Sequence, residues 1–310
     1  MLELHSVSFS YDSPIFKEIT FEVAEGEVIG IVGNSGAGKT SLLKVIAGLL
    51  DPTSGEVLFE GKKVKGPSHQ LVPGHEEIKL VNQDFGLDIY HTVEENIREK
   101  VLYLPRHERD ELVMELLELM ELSHLSKQKA LLLSGGEQQR LALARAIAGE
   151  PKLILLDEPF VHLDARLRLK ISNYLLQMKA VRGTSFILVS HDGAEILSLA
   201  NRIIYLSNGE ICRIDTPEEF YFNPRSKEEG ELFGVINSIR LNNQEILFRP
   251  TEFEVSTELS ENKIKVKFVD VQFAGTHFVN YFQTENQEEI ILFYPTSLIN
   301  EKEISIKSRN

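Results

Sequence analysis

The junction between residues 27 and 50 constrains this chain most. An apolar run, Glu27-Val28-Ile29-Gly30-Ile31-Val32, leads into Gly33-Asn34-Ser35-Gly36-Ala37-Gly38-Lys39-Thr40. From Lys39 to Leu50 the pattern turns helical, with Leu42, Leu43, Val45 and Ile46 on one face. A buried strand that ends in glycines and opens a helix aims backbone N–H groups, and the positive end of the helix dipole, at one point. That point suits phosphate. Residues Gly33, Asn34, Ser35, Gly36, Ala37, Gly38, Lys39, Thr40 and Ser41 are the candidate cradle. Lys39 would reach the β- and γ-phosphates, and the Thr40 hydroxyl would ligate Mg²⁺. A glycine-rich loop without nucleotide is the bland alternative; placement between strand and helix weighs against it.

Further strands are expected at Ile78–Val81, Leu153–Leu156 and Phe186–Val189. Between the first two of these the pattern becomes helical: residues 108–121 carry Leu112, Leu116, Leu117 and Met120 on an amphipathic face. Strands alternating with helices over roughly the first 230 residues predict an α/β layered domain. The character changes after Pro224. Lys227-Glu228-Glu229-Gly230-Glu231 is a charged junction, and beyond it apolar residues recur every second position. Ile264, Val266 and Phe268 alternate with lysines, then Val269, Val271 and Phe273 take the opposite parity. Such a switch marks either a strand apolar on both faces or a bulge. The tail reads as a small all-β domain. The expected division is 1–235 for the α/β domain, with a helical subdomain at about 84–150, and 236–310 for the tail.

Asp157 follows four apolar residues and so ends a buried strand, where open α/β sheets place their ligands. Beside a phosphate loop it is a candidate Mg²⁺ ligand, and neighbouring Glu158 a candidate base for an attacking water. Ser134, Gly135 and Gly136 precede a helix expected over residues 137–148. Its N-terminus is a second anion-binding end. Because Lys39 already serves one nucleotide, this second end is best used on another chain's.

Composition narrows the classes. A net charge of -14 argues against nucleic acid as partner. No apolar run approaches the eighteen or so residues of a membrane span. The start, Met1-Leu2-Glu3-Leu4-His5, lacks the build of a signal peptide. The single cysteine, Cys212, fits a reducing compartment and is expected to pack as a small apolar residue. The expectation is a soluble, cytoplasmic protein.

Three motifs taken together resemble the ATP-binding cassette (ABC) of transporters: the glycine loop, Leu133-Ser134-Gly135-Gly136-Glu137-Gln138-Gln139-Arg140, and Leu155-Leu156-Asp157-Glu158-Pro159. The resemblance implies an ATPase that works as a pair, in which Ser134, Gly135 and Gly136 of one subunit close over ATP held by the other. It further implies that His191, in Val189-Ser190-His191-Asp192, contacts the γ-phosphate. Gln83, in Val81-Asn82-Gln83-Asp84, would touch Mg²⁺ and the attacking water, and Tyr11 would stack on adenine. Leu163-Asp164 matches the loop that crosses the dimer interface; His162 before it is not expected to be catalytic. Taken alone, a strand-end histidine is usually a structural hydrogen-bonder, and Gln83 an ordinary polar strand terminus.

The stretch from Asp215-Thr216-Pro217-Glu218-Glu219-Phe220-Tyr221 to Asn223-Pro224, with Phe233-Gly234, Asn237 and Arg249-Pro250, resembles importer subunits that end in an OB-like transport-associated domain. Such importers serve ferric iron, polyamines, sulfate or sugars, and the lean here is toward iron or polyamine. The implied partners are a second copy of the chain, integral membrane permease subunits and an extracytoplasmic substrate-binding protein. The implied cofactors are ATP and Mg²⁺, and the implied location is the inner face of the cell membrane, through the permease. One departure is Leu87-Asp88-Ile89-Tyr90-His91-Thr92-Val93, where such importers usually carry a Phe-Pro-His type stretch; another is Leu131 and Leu132 without a nearby proline. The alternatives are an exporter ATPase and a soluble ABC protein outside transport.

Overall fold

In the computed structural model, which describes residues 1–82, 85–161, 163–241, 244–255 and 263–306, the chain begins as an antiparallel pair, β1 (Leu2–Ser10) and β2 (Pro14–Val23). It then runs through β3 (Val28–Val32) and the glycine loop into α1 (Lys39–Ile46), and returns beside β1 as β4 (Ser54–Phe59) and β5 (Lys62–Lys63). The resulting sheet has the order β2-β1-β4-β5. Its strand pattern does not stand out in the sequence, because register shifts break the alternation of β1 at three places against β2. The helix expected to reach Leu50 stops at Ile46. Gly48 explains this: its φ is 71°, and a Cβ there would lie 2.7 Å from the Lys65 carbonyl oxygen.

Next come β6 (Ile78–Val81), α2 (Val93–Arg98), α3 (Arg106–Leu119), α4 (Gly135–Ala148), β7 (Leu153–Asp157), α5 (Ala165–Arg182), β8 (Ser185–Ser190), α6 (Ala194–Leu197), β9 (Arg202–Ser207) and β10 (Glu210–Asp215). The second sheet runs β10-β9-β3-β8-β7-β6, parallel throughout except for the edge strand β10. Strands β3, β7 and β8 are buried end to end. Alternate residues feed two cores. Ile29, Ile31, Leu153, Leu155, Ile187 and Val189 pack with Leu42, Leu43 and Ile46 of α1, whereas Val28, Ile154, Leu156, Phe186 and Leu188 pack with Leu141, Leu143 and Ile147 of α4. Helices on both faces explain why these strands are unbroken apolar runs. Pairing of Val32 with Ser190 and of Asp157 with Val189 brings the carboxyl ends of β3, β7 and β8 level.

Cys212 corrects an expectation: it is exposed. A register shift between Ile211 and Arg213 on β10 turns the cysteine outward and buries the Arg213 side chain instead. Among the described residues, no helix is long and apolar enough to cross a membrane.

The chain divides into Met1–Pro217 and Glu218–Asn310, ahead of the boundary expected near 235. The second unit holds most of α7 (Pro217–Phe222), then α8 (Lys227–Glu231), β11 (Asn237–Leu241), β12 (Gln244–Phe248), β13 (Phe253–Val255), β14 (Lys263–Phe273), β15 (Phe278–Thr284), β16 (Glu289–Tyr294) and β17 (Glu303–Ile306). β11 and β12 form a hairpin, and the rest a sheet of order β13-β17-β14-β15-β16. Its strands are antiparallel, in keeping with the OB-like reading. Phe268 opposes Phe282 and Asp270 opposes Tyr281, so Val269 is the extra residue of a bulge. The parity switch in the sequence is therefore a bulge: Ile264 and Val266 are buried before it, and Val269 and Phe273 exposed after it. Arg249, wholly buried, donates to the carbonyls of Tyr221, Gly230, Gly234 and Val235 within this unit.

Candidate nucleotide site

The glycine loop closes around its own lysine. Lys39 Nζ donates to the carbonyls of Gly33 at 2.6 Å and Asn34 at 3.0 Å. Burial lowers the Lys39 pKa, and the nearby Glu158 and Asp157 carboxylates oppose that shift. Two glycines are required by geometry. Gly38 caps α1 at a φ of 94°, and a Cβ on Gly33 would lie 2.0 Å from the Leu206 carbonyl oxygen. Among the described residues no side chain caps α1, and no acidic residue stands in its first turn. In front of this helix end is a cavity of about 340 Å³, lined by Ile15, the loop from Ser35 to Ser41, Asp157 and Glu158.

Across the cavity, Thr40 Oγ1 donates to Asp157 Oδ2 at 2.7 Å. Burial raises the Asp157 pKa; the Thr40 hydrogen bond works against it and the neighbouring Glu158 with it. A carboxylate whose charge is penalised in this way, next to a hydroxyl oxygen, is the hard-oxygen set that Mg²⁺ takes. The residues present fit that ion.

Glu158 adopts a φ of 54°, left-handed for a residue with a Cβ. The pose is held from three sides. Glu158 N donates to Val189 O at 2.9 Å, Gln139 Nε2 donates to Glu158 O at 2.8 Å, and the carboxylate meets His191. There Oε1 accepts the His191 backbone N–H at 3.0 Å, and Oε2 lies 2.8 Å from His191 Nδ1. This hydrogen bond, helped by the Glu158 charge, raises the His191 pKa. A second cavity, of about 350 Å³, shares Asp157 and Glu158 and is lined as well by Gln139, Asn82 and Phe85.

The structure gathers residues 33–41, Asp157, Glu158 and His191 at one sheet edge. Gln83 and His162 lie outside the described residues. Ser134, Gly135, Gly136, Asp164 and Tyr11 do not line the cavity at the loop. Ser134 caps α4 in a reciprocal box: its Oγ accepts from Glu137 N at 3.4 Å, while Glu137 Oε2 accepts from Ser134 N at 2.7 Å. Ser134 and Gly135 are exposed, as is Asp164, which caps α5 by accepting from Leu167 N at 2.8 Å. Tyr11 is 61% exposed, its ring set edge-on to Phe9 at 4.8 Å. Sequence reasoning missed Gln139 as the tie between α4 and Glu158, a contact nineteen positions apart with no local signature.

A phosphate-binding loop, a strand-end Asp-Glu pair and a histidine just past the end of the next strand define a nucleotide hydrolase of the P-loop class. Residues 16–161 match the ABC transporter family. The chain is 33% identical over 298 residues to the sulfate/thiosulfate import ATP-binding protein of Pseudomonas syringae pv. tomato, covering 94% of this chain and 90% of that protein. It is 33% identical over 289 residues to the spermidine/putrescine import ATP-binding protein of Bacillus thuringiensis subsp. konkukian, covering 91% and 87%. Among solved structures, a dimeric ATP-binding cassette in a post-hydrolysis state with ADP and Pi superimposes with a TM-score of 0.63 at 31% identity, over 70% of this chain and 99% of that one. The chain belongs to the ABC transporter family, as an ATP-hydrolysing cassette of the import type.

Proposed function

We propose that this cassette is the energy-coupling subunit of an import system, in which two copies hold ATP between them and drive a separate membrane permease supplied by an extracytoplasmic binding protein. The subunit would then sit on the inner face of the membrane through the permease. Residues 1–235 would form the working cassette, residues 84–150 its helical subdomain and residues 236–310 its transport-associated tail. Relatives at equal identity are import proteins for sulfate and for polyamines. A cassette common to both leaves substrate choice to the permease and binding protein, with polyamine or ferric iron as the lean.

The loop from Gly33 to Ser41 binds the phosphates, and Lys39 exchanges its carbonyl partners for phosphate oxygens. Thr40 and Asp157, with Gln83, hold Mg²⁺, which when bound neutralises charge developing on the transferred phosphoryl group. Glu158 orients the attacking water and takes its proton, and His191 moves from Glu158 toward the γ-phosphate. Tyr11 stacks on the base. Ser134, Gly135, Gly136 and Asp164 serve the nucleotide of the second copy. The supporting observation is the carboxylate of Glu158, held against His191 and facing the same cavity as the loop.

Glu158→Gln tests this. Turnover should fall by about 10²–10⁴-fold, the value of a positioned general base, while Mg-ATP binding persists and a closed dimer accumulates in gel filtration. Near-normal turnover would remove Glu158 from the chemistry. Mixing Ser134→Arg chains with Lys39→Ala chains, each inactive alone, should restore part of the ATPase. No recovery in mixed dimers would contradict a site built from two chains.

A further inference from the structure

The turn that leads into α2 gathers a second set of metal-ligating atoms, separate in sequence from Asp157 and Glu158. Asp88, His91 and Glu99 each offer one ligand atom, and the three atoms lie within 4.8 Å of one another. His91 Nδ1 stands 3.0 Å from Glu99 Oε1 and 3.5 Å from Asp88 Oδ2. That nitrogen is closed off from solvent and, among the described residues, has no hydrogen-bond partner. Neighbouring ligands around a tetrahedral ion with bonds of about 2.1 Å lie about 3.4 Å apart. The observed separations suit a shared ion with small side-chain adjustments.

The backbone that carries the set is fixed in place. Asn96 is wholly buried and laces the turn together: its Oδ1 accepts from Asp88 N at 3.0 Å, and its Nδ2 donates to Asp88 O at 2.8 Å and Thr92 O at 3.0 Å. His91 N donates to Asp88 O at 3.2 Å, and His91 O accepts from Ala130 N at 2.9 Å. Glu99 starts the single 3₁₀ turn Glu99–Val101 that follows α2. Arg145 of α4 approaches its other oxygen, Nη2 to Oε2 at 3.7 Å, which leaves Oε1 turned to His91. Ligands on an ordered scaffold, with an outer partner orienting a carboxylate, are the marks of a prepared site.

We propose that Asp88, His91 and Glu99 bind a borderline first-row divalent ion of the Zn²⁺ or Co²⁺ class, through one nitrogen and two oxygens, with water completing the shell. The ion would clamp the turn before α2 to the 3₁₀ turn after it. This goes beyond ATP chemistry and does not depend on it.

The full-length protein, stripped with a chelator and held in excess Mg²⁺, should be titrated with Co²⁺ while d–d absorption is followed. One equivalent is expected to develop visible bands. His91→Gln and Glu99→Gln should each weaken the binding by more than about tenfold, and His191→Gln should leave it unchanged. Circular dichroism establishes that each variant is folded; should His91→Gln unfold, Glu99→Gln and Asp88→Asn decide. Absence of bands in the wild type, wild-type Co²⁺ affinity in folded Glu99→Gln or Asp88→Asn, or bands lost in His191→Gln would each overturn the assignment.

Discussion

Two helix starts in this cassette are candidate anion sites, and they are furnished in opposite ways. α1 begins on Gly38 with no capping side chain among the described residues and no acidic residue in its first turn. α4 begins on Ser134, which exchanges hydrogen bonds with Glu137, so a carboxylate already occupies the end of the helix. The first arrangement leaves N–H groups and dipole for a ligand of the same chain. The second is stable without a ligand, and its exposed Ser134 and Gly135 would have to exchange a cap for a phosphate. On the proposed reading, one end would be a receptor and the other a latch.

That contrast can be broken at α1 first. Lys39→Ala should weaken ATP binding by about tenfold to a hundredfold, the worth of one charged hydrogen bond of about 1.5–3 kcal/mol. Glu137→Gln in the isolated subunit should leave affinity within about twofold if α4 plays no part in its own chain's site. Fluorescent-nucleotide titration reads both, and a large loss in Glu137→Gln would erase the distinction between the two ends.

A smaller effect is expected at the latch itself. Ser134→Ala removes the cap and should destabilise the chain by about 1 kcal/mol, lowering Tm by about 2–4 °C. An unchanged melt would mean that the box contributes nothing measurable. Glu137 sharpens the point through pH. Hydrogen bonds from the Ser134 side chain and backbone hold its pKa below 4.5. Its contribution is therefore present above pH 4.5 and is lost as pH falls through the folded value. Glu137→Gln should thus cost stability near neutrality and progressively less as pH falls below 4.5; a loss that did not change with pH would reject the cap as electrostatic.

The smallest effect concerns His191. Its pKa is raised above 6.5 by Glu158. The pairing contributes fully below pH 6.5 and fades as pH rises through the folded value. Because the ring is largely exposed, the stability change should be slight. NMR titration is the sharper check: the midpoint should lie above 6.5 and move back toward it in Glu158→Gln.

What was legible in the sequence follows from what is local. The junction at residues 27–46 declares itself because a wholly buried strand, a glycine loop and an amphipathic helix adjoin within one stretch. The start of α4 at Gly135, ahead of the expected 137, is written in Ser134-x-x-Glu137, a pattern that fixes a helix start. The bulge at Val269 is legible as a change of parity. The first sheet is not, because bulges in β1 scramble its alternation and its partners come from distant segments. The exposed Cys212 belongs with it, since a bulge on an edge strand decides which side chain faces inward. Within the site, the Thr40–Asp157 and Gln139–Glu158 contacts join separate segments, and only the closed sheet edge places them together.

The backbone at Glu158 carries a consequence for anyone who evolves this protein in the laboratory. With a φ of 54°, the position disfavours any side chain with a Cβ by about 1–2 kcal/mol compared with glycine, and asparagine tolerates it better than glutamate. A screen that rewards only survival on heating would therefore drift toward asparagine or glycine there, and would collect hardy, inert proteins. Heat tolerance should be sought at other positions, with turnover measured in every round.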